Sequence, residues 1–193
     1  MSHAIESYTG SQSNMMTELL AGKAISLLVE NLPTAVKNGS DLEARTNVMF
    51  AATLAGIAFD NAMVHWGHAI AHVIGAFHHV PHGIGCALAM PAAVKYVAET
   101  AGDRLPGVAQ ALGMTLAEGL SAQDMGNAIA IEITRLNKDL GIPCLADLGI
   151  TEQDLDKIAE AIPNDVVAMF APKTATKEEA YDMMKYVYTQ YTI

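Results

Sequence analysis

The sequence has little positive charge and few cysteines, and each of these shortages excludes a class of function. Lys and Arg number 11 in 193 residues against 21 Asp and Glu, for a net charge of −10. Binding nucleic acid or an anionic membrane surface needs a basic patch, so we expect neither partner. The two cysteines, Cys86 and Cys144, form no CxxC pair. We therefore expect reduced core residues of a cytoplasmic protein, with neither disulfides nor a thiolate metal site.

Strand signals and targeting signals are also scarce. The chain has no alternating Val, Ile and Thr runs bounded by turns, and no basic N-terminal segment followed by an apolar one. One uncharged stretch, residues 61–94, is long enough to cross a bilayer. If this stretch crossed a bilayer, its six histidines and the break at Pro81-His82-Gly83 would lie inside the membrane, where polar groups are costly. We therefore expect no membrane segment.

Helix signals are frequent, and they predict an all-α helical bundle in a single domain, residues 1–193. In the second predicted helix Pro33 marks a bend or a break. Ser40 and Glu43 have the spacing of a capping box at the start of the third. The predicted helices cover about 2–8, 13–37, 40–60, 62–77, 84–99, 103–112, 121–140, 151–161 and 176–191.

The uncharged stretch carries the strongest functional signal. Between Asn61 and Val94, 34 residues include no Asp, Glu, Lys or Arg but six of the seven histidines of the chain. A buried histidine needs a partner, and neutral imidazole is the commonest metal ligand. The stretch therefore predicts a buried metal or catalytic site, although any one of these histidines could equally be a core or surface residue with one hydrogen bond.

Helical spacing places His65, His68 and His72 on one face, at positions i, i+3 and i+7. His82 lies in the turn predicted at residues 78–83, and that turn can bring it back towards His68. Two helical histidines and a third from a following loop can bind one metal ion. The spacing predicts such a site but is weak evidence alone, because ordinary helices also contain it.

The remaining histidines are less informative. Ala69 occupies the second position of the HxxxH pattern, where zinc proteases have Glu, so that motif is excluded. His78 and His79 are neighbours in a turn, and we expect them at the surface. The role of His65 stays open. His3 begins a helical segment, although histidines near a chain end are usually without function.

A wider pattern points to a known family. His68-x-x-x-His72 is followed, ten residues after His72, by His82-Gly83. The accompanying segments are His3-Ala4-Ile5-Glu6-Ser7-Tyr8, Leu54-Ala55-Gly56-Ile57-Ala58-Phe59, Val80-Pro81-His82-Gly83-Ile84, Leu88-Ala89-Met90-Pro91, Leu140-Gly141-Ile142-Pro143 and Leu148-Gly149-Ile150. Together they resemble the iron-containing alcohol dehydrogenase family over essentially the whole chain.

The resemblance implies a fold, a reaction and site residues. Members of the family join an N-terminal α/β domain, which binds a nicotinamide dinucleotide, to a C-terminal helical domain with most of the metal site. This chain resembles the helical domain only, so NAD(P) would bind only through the absent domain. By resemblance, His3, His68 and His82 are metal ligands, and His72 is the catalytic histidine that relays a proton. The substrate would be a small-molecule alcohol or aldehyde.

The implied cofactor is a divalent metal, Fe²⁺ by family resemblance. The fourth ligand of the family, an aspartate four residues before the first histidine, would fall before Met1. Three imidazoles without a carboxylate form a softer site, so we expect Zn²⁺, Ni²⁺ or Cu²⁺ to bind in preference to Fe²⁺. His65 stands where the family commonly has a small residue, and it could be an extra ligand or a supporting group.

Three functions stay open from the sequence. The first is the metal-binding half of an alcohol dehydrogenase, active with a dinucleotide-binding domain. The second is a non-catalytic metal-binding or assembly domain derived from that family. The third is a hydrolase with a metal-activated water, because three imidazoles and an open position resemble the ligation of carbonic anhydrase. A helical half-enzyme would expose an apolar face, which predicts a homo-oligomer or a dinucleotide-binding partner subunit.

Overall fold

The computed structural model describes residues 1–192, and the elements within that range are helical. No strand occurs in it, which confirms the predicted all-α fold. The α-helices are α1 (Ser2–Thr9), α2 (Met15–Lys37), α3 (Leu42–Ala62), α4 (Trp66–His78), α5 (His82–Val97), α6 (Leu105–Ala111), α7 (Ala122–Asp139), α8 (Leu155–Ala161) and α9 (Lys177–Thr189). Short 3₁₀ helices cover Glu152–Asp154, Ile162–Asn164 and Val166–Phe170.

The two longest helices, α2 and α3, form a hairpin. Asn14 caps α2, because its side chain accepts hydrogen bonds from the amides of Met16 and Thr17. α2 continues through Pro33, so the predicted break does not occur. Near the turn of the hairpin, Asn47 Nδ2 donates to Asn31 Oδ1 at 2.9 Å and ties the two helices together.

The start of α3 differs from the predicted capping box of Ser40 and Glu43. Asp41 is the cap, since its carboxylate accepts the Ala44 amide at 2.9 Å. The Ser40 amide instead donates to Asn38 Oδ1 in the preceding turn. Three later helical segments begin at side-chain caps. Ser121 Oγ accepts the Asp124 amide and Thr176 Oγ1 accepts the Glu179 amide. At Thr151 the Asp154 carboxylate accepts from the Thr151 amide and hydroxyl.

The chain bends by 102° between α3 and α4. Met63 has a φ of 63°, in the left-handed region that non-glycine residues rarely adopt. The prediction of one helix over 62–77 therefore begins too early, and α4 starts at Trp66. His65 lies outside the helix. The spacing predicted that His65 shares a helix face with His68 and His72, and this prediction is wrong.

α5 begins two residues earlier than predicted. His79, at a φ of 55°, ends α4 in the left-handed conformation, and Pro81 then precedes the first residue of α5. That first residue is His82, which the prediction had placed in a loop. Its backbone is helical, so the helix rather than a flexible turn positions its side chain.

α5 also continues through Pro91, where a kink was predicted. Proline has no amide hydrogen, so it leaves the carbonyl four residues before it, Ala87 O, without its helical donor. The side chain of Asn137 on α7 supplies the replacement, with Nδ2 2.7 Å from Ala87 O. Gln190 donates in the same way to the adjacent Leu88 O at 2.9 Å. These two amides join α5 to its neighbours at the centre of the core.

The core lies around α4 and α5. Trp66, Ile70, Leu88 and Met90 are almost fully buried there. The two helices approach closely at Gly85, where an added Cβ would lie 3.2 Å from Ala71 Cβ. The short α1 packs against α2, α3 and α5. Residues of α1 are therefore brought next to the histidines of α4 and α5.

The outer side of the α2–α3 hairpin exposes apolar side chains. They are Met15, Met16, Leu19, Val36, Leu42, Met49, Phe50 and Ile57. α2 is long and apolar enough to cross a membrane by length and composition, and 28% of its most apolar window is buried. One such helix is weak evidence for a membrane. The expectation of no membrane partner therefore stays a prediction.

Candidate metal centre

Four side chains that bind metals in other proteins converge on one cavity of about 300 Å³. They are His3 from α1, His68 from α4, and His82 and Cys86 from α5. The ring centroid of His68 lies 4.6 Å from that of His3 and 5.4 Å from that of His82. The three ligands implied by the family resemblance therefore line the same space.

A buried carboxylate that sequence reasoning missed holds the N-terminal end of α4. Glu6 of α1 is fully buried, and its Oε1 accepts the amides of Gly67 at 2.7 Å and His65 at 3.1 Å. The His68 amide is 3.4 Å from the same oxygen. Amides at a helix N-terminus favour a negative charge, so Glu6 caps α4 from another helix.

Glu6 also fixes the orientation of the His68 ring. Its Oε2 hydrogen-bonds His68 Nδ1, which directs the other ring nitrogen, Nε2, away from Glu6. Nε2 is buried and has no hydrogen-bond partner among the described residues. A buried nitrogen without a partner is costly in a folded protein, and histidines that bind metals commonly have a carboxylate on the opposite nitrogen.

The charges around Glu6 oppose the effect of its burial. Burial raises the pKa of Glu6, but His65, His68 and the amide of Gly67 lower it, and the net shift is downward. Burial lowers the pKa of His68, whereas Cys86 and Glu6 raise it, to about 10 overall. Glu6 is therefore an anion at neutral pH. A metal ion that binds His68 must displace a proton from this ring.

His3 lies against the site in a ring stack. Its imidazole stands between Phe59, at 4.2 Å between centroids, and His68. Burial, followed by the nearby charge of His68, lowers the pKa of His3 to about 4. The imidazole is thus neutral at pH 7, which is the form that binds metals.

His82 and Cys86 form the opposite side of the cavity. Cys86 Sγ lies 3.5 Å from His82 Nε2. His68, His82 and Cys86 each have one ligand atom within 4.8 Å of the ligand atoms of the other two. His3 does not belong to this group of three. Cys86 is free and buried, as predicted. Its neighbours include the imidazoles of His68 and His82.

Cys144, in contrast, is only partly buried, although it too was interpreted as a core residue. Its thiol donates to Asp147 Oδ2 at 3.1 Å in a surface turn. Cys144 is not among the described residues that line the cavity. The two cysteines thus have different surroundings.

His72 is at the outer edge of the group. Its ring stacks on that of His82 at 5.5 Å, and its side chain is 39% exposed. Its Nδ1 lies 2.9 Å from Asp165 Oδ2. Asp165 also accepts the Val167 amide at 3.0 Å and so caps the following 3₁₀ helix. Asp165 is 93 residues from His72, and no local pattern could have indicated the pair.

Apart from His72, which lies at its edge, three histidines of the uncharged stretch are outside the cavity. His65 is fully buried, with Nε2 3.1 Å from Thr9 Oγ1 and Nδ1 3.4 Å from Glu6 Oε1. Burial lowers the pKa of His65, although Glu6 opposes the shift. The described residues that line the cavity do not include His65. At the end of α4, His78 is partly exposed and His79 is exposed, as predicted.

The helices and this site can now be compared with known proteins. The family model described as Fe-containing alcohol dehydrogenase family, C-terminal, matches residues 1–188. The chain belongs to the iron-containing alcohol dehydrogenase family. The 1,3-propanediol dehydrogenase of Klebsiella pneumoniae is 36% identical over 180 residues, which are 93% of this chain and 46% of that protein.

Two further members of the iron-containing alcohol dehydrogenase family agree with this assignment. The NAD-dependent methanol dehydrogenase of Bacillus methanolicus is 34% identical over 188 residues, 96% of this chain and 49% of that protein. The structure of an alcohol dehydrogenase from Oenococcus oeni has a TM-score of 0.90 at 34% identity, over 97% of this chain and 49% of that one. The chain spans about half the length of the relatives it matches.

As the C-terminal domain of an iron-type alcohol dehydrogenase, the chain has a donor set that fits a divalent metal. His68 offers a buried nitrogen without a partner, and His82 and Cys86 offer donors within 4.8 Å. Imidazole suits Fe²⁺, Zn²⁺ and Co²⁺ alike, and thiolate favours the more thiophilic of these. The donors lie at a cavity into which an ion could enter.

Proposed function

We propose that this domain supplies the metal site for NAD(P)-dependent interconversion of small alcohols and the corresponding carbonyl compounds. The observation that carries the proposal is His68, whose Nδ1 is held by Glu6 while Nε2 is buried at the cavity without a partner. The printed names of relatives support the reaction class, since they include a 1,3-propanediol dehydrogenase, a methanol dehydrogenase and a lactaldehyde reductase.

His3, His68 and His82 would hold the metal. Fe²⁺ is the metal of the family name, and Zn²⁺ is the alternative that a set of imidazoles and a thiol favours. When bound, a divalent metal supplies Lewis acidity, which lowers the pKa of an alcohol or polarises a carbonyl. The buried side of the cavity, around Cys86 and Met90, limits access of water to that chemistry.

His72 would move the proton. Its Nδ1 faces Asp165, so an Nδ1–H that donates to the carboxylate leaves Nε2 free as the base. The ring is 39% exposed and stacks on His82, which lines the cavity, so it can accept a proton beside the cavity and release it to solvent. NAD or NADP would bind to a second domain, because the matched relatives are about twice as long as this chain.

The test is reconstitution with a dinucleotide-binding domain. The 193-residue chain would be fused to, or expressed with, the N-terminal half of the Klebsiella pneumoniae relative and loaded with Fe²⁺ or Zn²⁺. Formation of NADH or NADPH would be followed with methanol and 1,3-propanediol. We expect turnover that His72→Ala reduces about 10²–10⁴-fold, the usual contribution of a general base. His78→Ala, at a partly exposed residue six positions after His72 and outside the cavity, is the matched control and should keep its rate.

One outcome would favour the second function expected from the sequence. If the domains assemble and bind metal and nucleotide, but no alcohol is oxidised, the chain is a non-catalytic metal-binding domain. Equal rates for the His72 and His78 variants would contradict the role of His72 alone.

A further inference from the structure

We propose that Cys86 is itself a metal ligand, with its thiolate binding the same ion as the imidazoles of His68 and His82. The inference rests on the proposed metal site and extends it, because the ligands that the resemblance assigns to this chain are His3, His68 and His82. It also gives the site a chemical preference that imidazoles alone would not give.

The first support is the distance between the sulfur and nitrogen donors. A tetrahedral ion with metal–sulfur bonds of about 2.3 Å and metal–nitrogen bonds of about 2.05 Å holds its sulfur and nitrogen ligands about 3.6 Å apart. Cys86 Sγ and His82 Nε2 are 3.5 Å apart. The pair therefore has the spacing of two ligands of one ion.

The second support is independent of that distance. His68 Nε2 is buried and without a partner, and its side chain belongs to the same cluster of donors within 4.8 Å. A hydrogen bond between Cys86 and His82 would leave this nitrogen unsatisfied. A single cation bound by all three residues satisfies every donor in the cluster.

Helix geometry explains why the pair is preformed. His82 and Cys86 are at positions i and i+4 of α5, so their side chains lie one above the other on one face. His82 is exposed at the entrance, and Cys86 is 4% exposed behind it. On binding, the sulfur–metal bond replaces the S–H bond, and the proton leaves to solvent past His82.

The thiolate changes which metals the site retains. Soft sulfur ligands favour Zn²⁺ and Co²⁺ over cations that prefer oxygen, such as Mg²⁺ and Mn²⁺. The first ligand shell would also be open to oxidation, because a metal-binding thiol is lost once it is oxidised. The inference thus predicts a thiophilic site in a family named for iron.

Cobalt spectroscopy of the reduced 193-residue chain tests the inference. Co²⁺ bound to sulfur gives a sulfur-to-cobalt charge-transfer band in the near ultraviolet, and bound imidazoles give weaker bands in the visible. We expect both sets of bands in the native chain and in Cys144→Ser, the matched control. Cys86→Ser should lose the charge-transfer band, keep visible bands and bind Zn²⁺ at least tenfold more weakly.

The outcomes separate this inference from the proposed function. Visible cobalt bands without a charge-transfer band in the native chain would overturn the role of Cys86 and leave the histidine site in place. No cobalt spectrum at all would overturn both. A charge-transfer band that survives in Cys86→Ser but disappears in Cys144→Ser would assign the sulfur ligand to Cys144 and overturn the inference.

A second measurement removes the dependence on a folded Cys86 variant. X-ray absorption at the zinc edge of the Cys144→Ser chain, loaded with one equivalent of Zn²⁺, reports the atoms bound to the metal. We expect one sulfur at about 2.3 Å beside nitrogen ligands at about 2.0–2.1 Å. A shell of nitrogen and oxygen only would overturn the inference.

Discussion

The N-terminal end and the middle of α4 hold their histidines in different ways. At the N-terminal end, His65 and His68 are buried against Glu6, a carboxylate that also accepts backbone amides. Further along the helix, His72 is 39% exposed and pairs with Asp165 in a partly open contact. Both arrangements join an imidazole to a carboxylate, but only the first is removed from water.

This difference matches two chemical tasks. A buried carboxylate costs several kcal/mol of solvation unless charges and hydrogen bonds replace the water, so Glu6 can occupy only the one position where its donors converge. That restriction suits a histidine that must present Nε2 in a constant direction. An exposed pair contributes about 0–1 kcal/mol and can break and re-form, which suits a histidine that passes protons.

Removing the buried carboxylate should have the largest effect. In Glu6→Ala, the Gly67 and His65 amides lose their acceptor and His68 loses its counter-charge. Breaking one partner of a buried charged pair typically costs about 3–5 kcal/mol, and we expect a loss of that size in the free energy of urea unfolding. Glu30→Ala, on an exposed position of α2, is the control and should stay within about 0.5 kcal/mol. A loss below about 1 kcal/mol for Glu6→Ala would show that the buried contact of Glu6 is as weak as an exposed pair.

A methyl group at Gly67 should produce the next largest effect. An added Cβ would lie 3.0 Å from Glu6 Oε1 and 2.6 Å from Met90 Cε, so the carboxylate could no longer approach the amides. We expect Gly67→Ala to destabilise the fold by about 1–3 kcal/mol, the usual cost of overpacking. The matched change Gly56→Ala, inside α3 with no atom within 4 Å of the new Cβ, should instead stabilise by up to about 1 kcal/mol.

Thermal unfolding monitored by circular dichroism measures this second pair of changes. Midpoints that shift in opposite directions for the two glycines would support the packing argument. A stabilised Gly67→Ala would contradict the close approach of Glu6 to the start of α4.

Local features of this fold could be predicted from sequence, and the partners of the histidines could not. Caps such as Thr176 with Glu179 form between residues three apart, so their pattern is visible in the chain. The ion pairs on α4 join His68 to Glu6 and His72 to Asp165, 62 and 93 residues apart. Only the packing of α1 and of a 3₁₀ helix against α4 creates them, and a single sequence carries no signal of that packing.

One error had a local cause. The break before Trp66 depends on the left-handed Met63, which is an unfavourable residue type for that conformation and gives no warning in the sequence. The closeness of Cys86 to His82 is a different case, because residues four apart on one helix share a face and the sequence shows both. A CxxC pair is the usual sequence sign of thiolate ligands, and its absence led to the prediction of a core residue.

The more exposed of the two pairs, His72 with Asp165, can be tested by substitution of Asp165. Asp165→Ala removes both the partner of His72 and the cap on Val167, whereas Asp165→Asn removes the charge and keeps a capping oxygen. Loss of a cap costs about 0.5–2 kcal/mol, so we expect about 1 kcal/mol for the alanine variant and less than about 0.5 kcal/mol for asparagine. Urea unfolding measures both, and a cost for asparagine close to that of Glu6→Ala would remove the contrast between the two imidazole–carboxylate pairs.

Substitution of exposed phenylalanines should have the smallest effect on folding, but it should have a measurable effect on self-association of the chain. Phe77, at the outer end of α4, is 40% exposed and lies under the Lys157 ammonium, 4.7 Å from the ring centroid. Phe50, 55% exposed, belongs instead to the apolar outer side of the α2–α3 hairpin. Large exposed apolar patches are usually covered by partners, so we propose that the hairpin mediates self-association.

Sedimentation velocity over a range of concentrations distinguishes the two surfaces. We expect the native chain to self-associate and Phe50→Ser to weaken that association about tenfold, which corresponds to about 1.4 kcal/mol. Phe77→Ser should leave it unchanged, because that ring stands alone and already has a cation above it. If the native chain is a monomer at all concentrations, the hairpin has no role in self-association. If Phe77→Ser alone weakens the association, the C-terminal end of α4, and not the hairpin, is the contact surface.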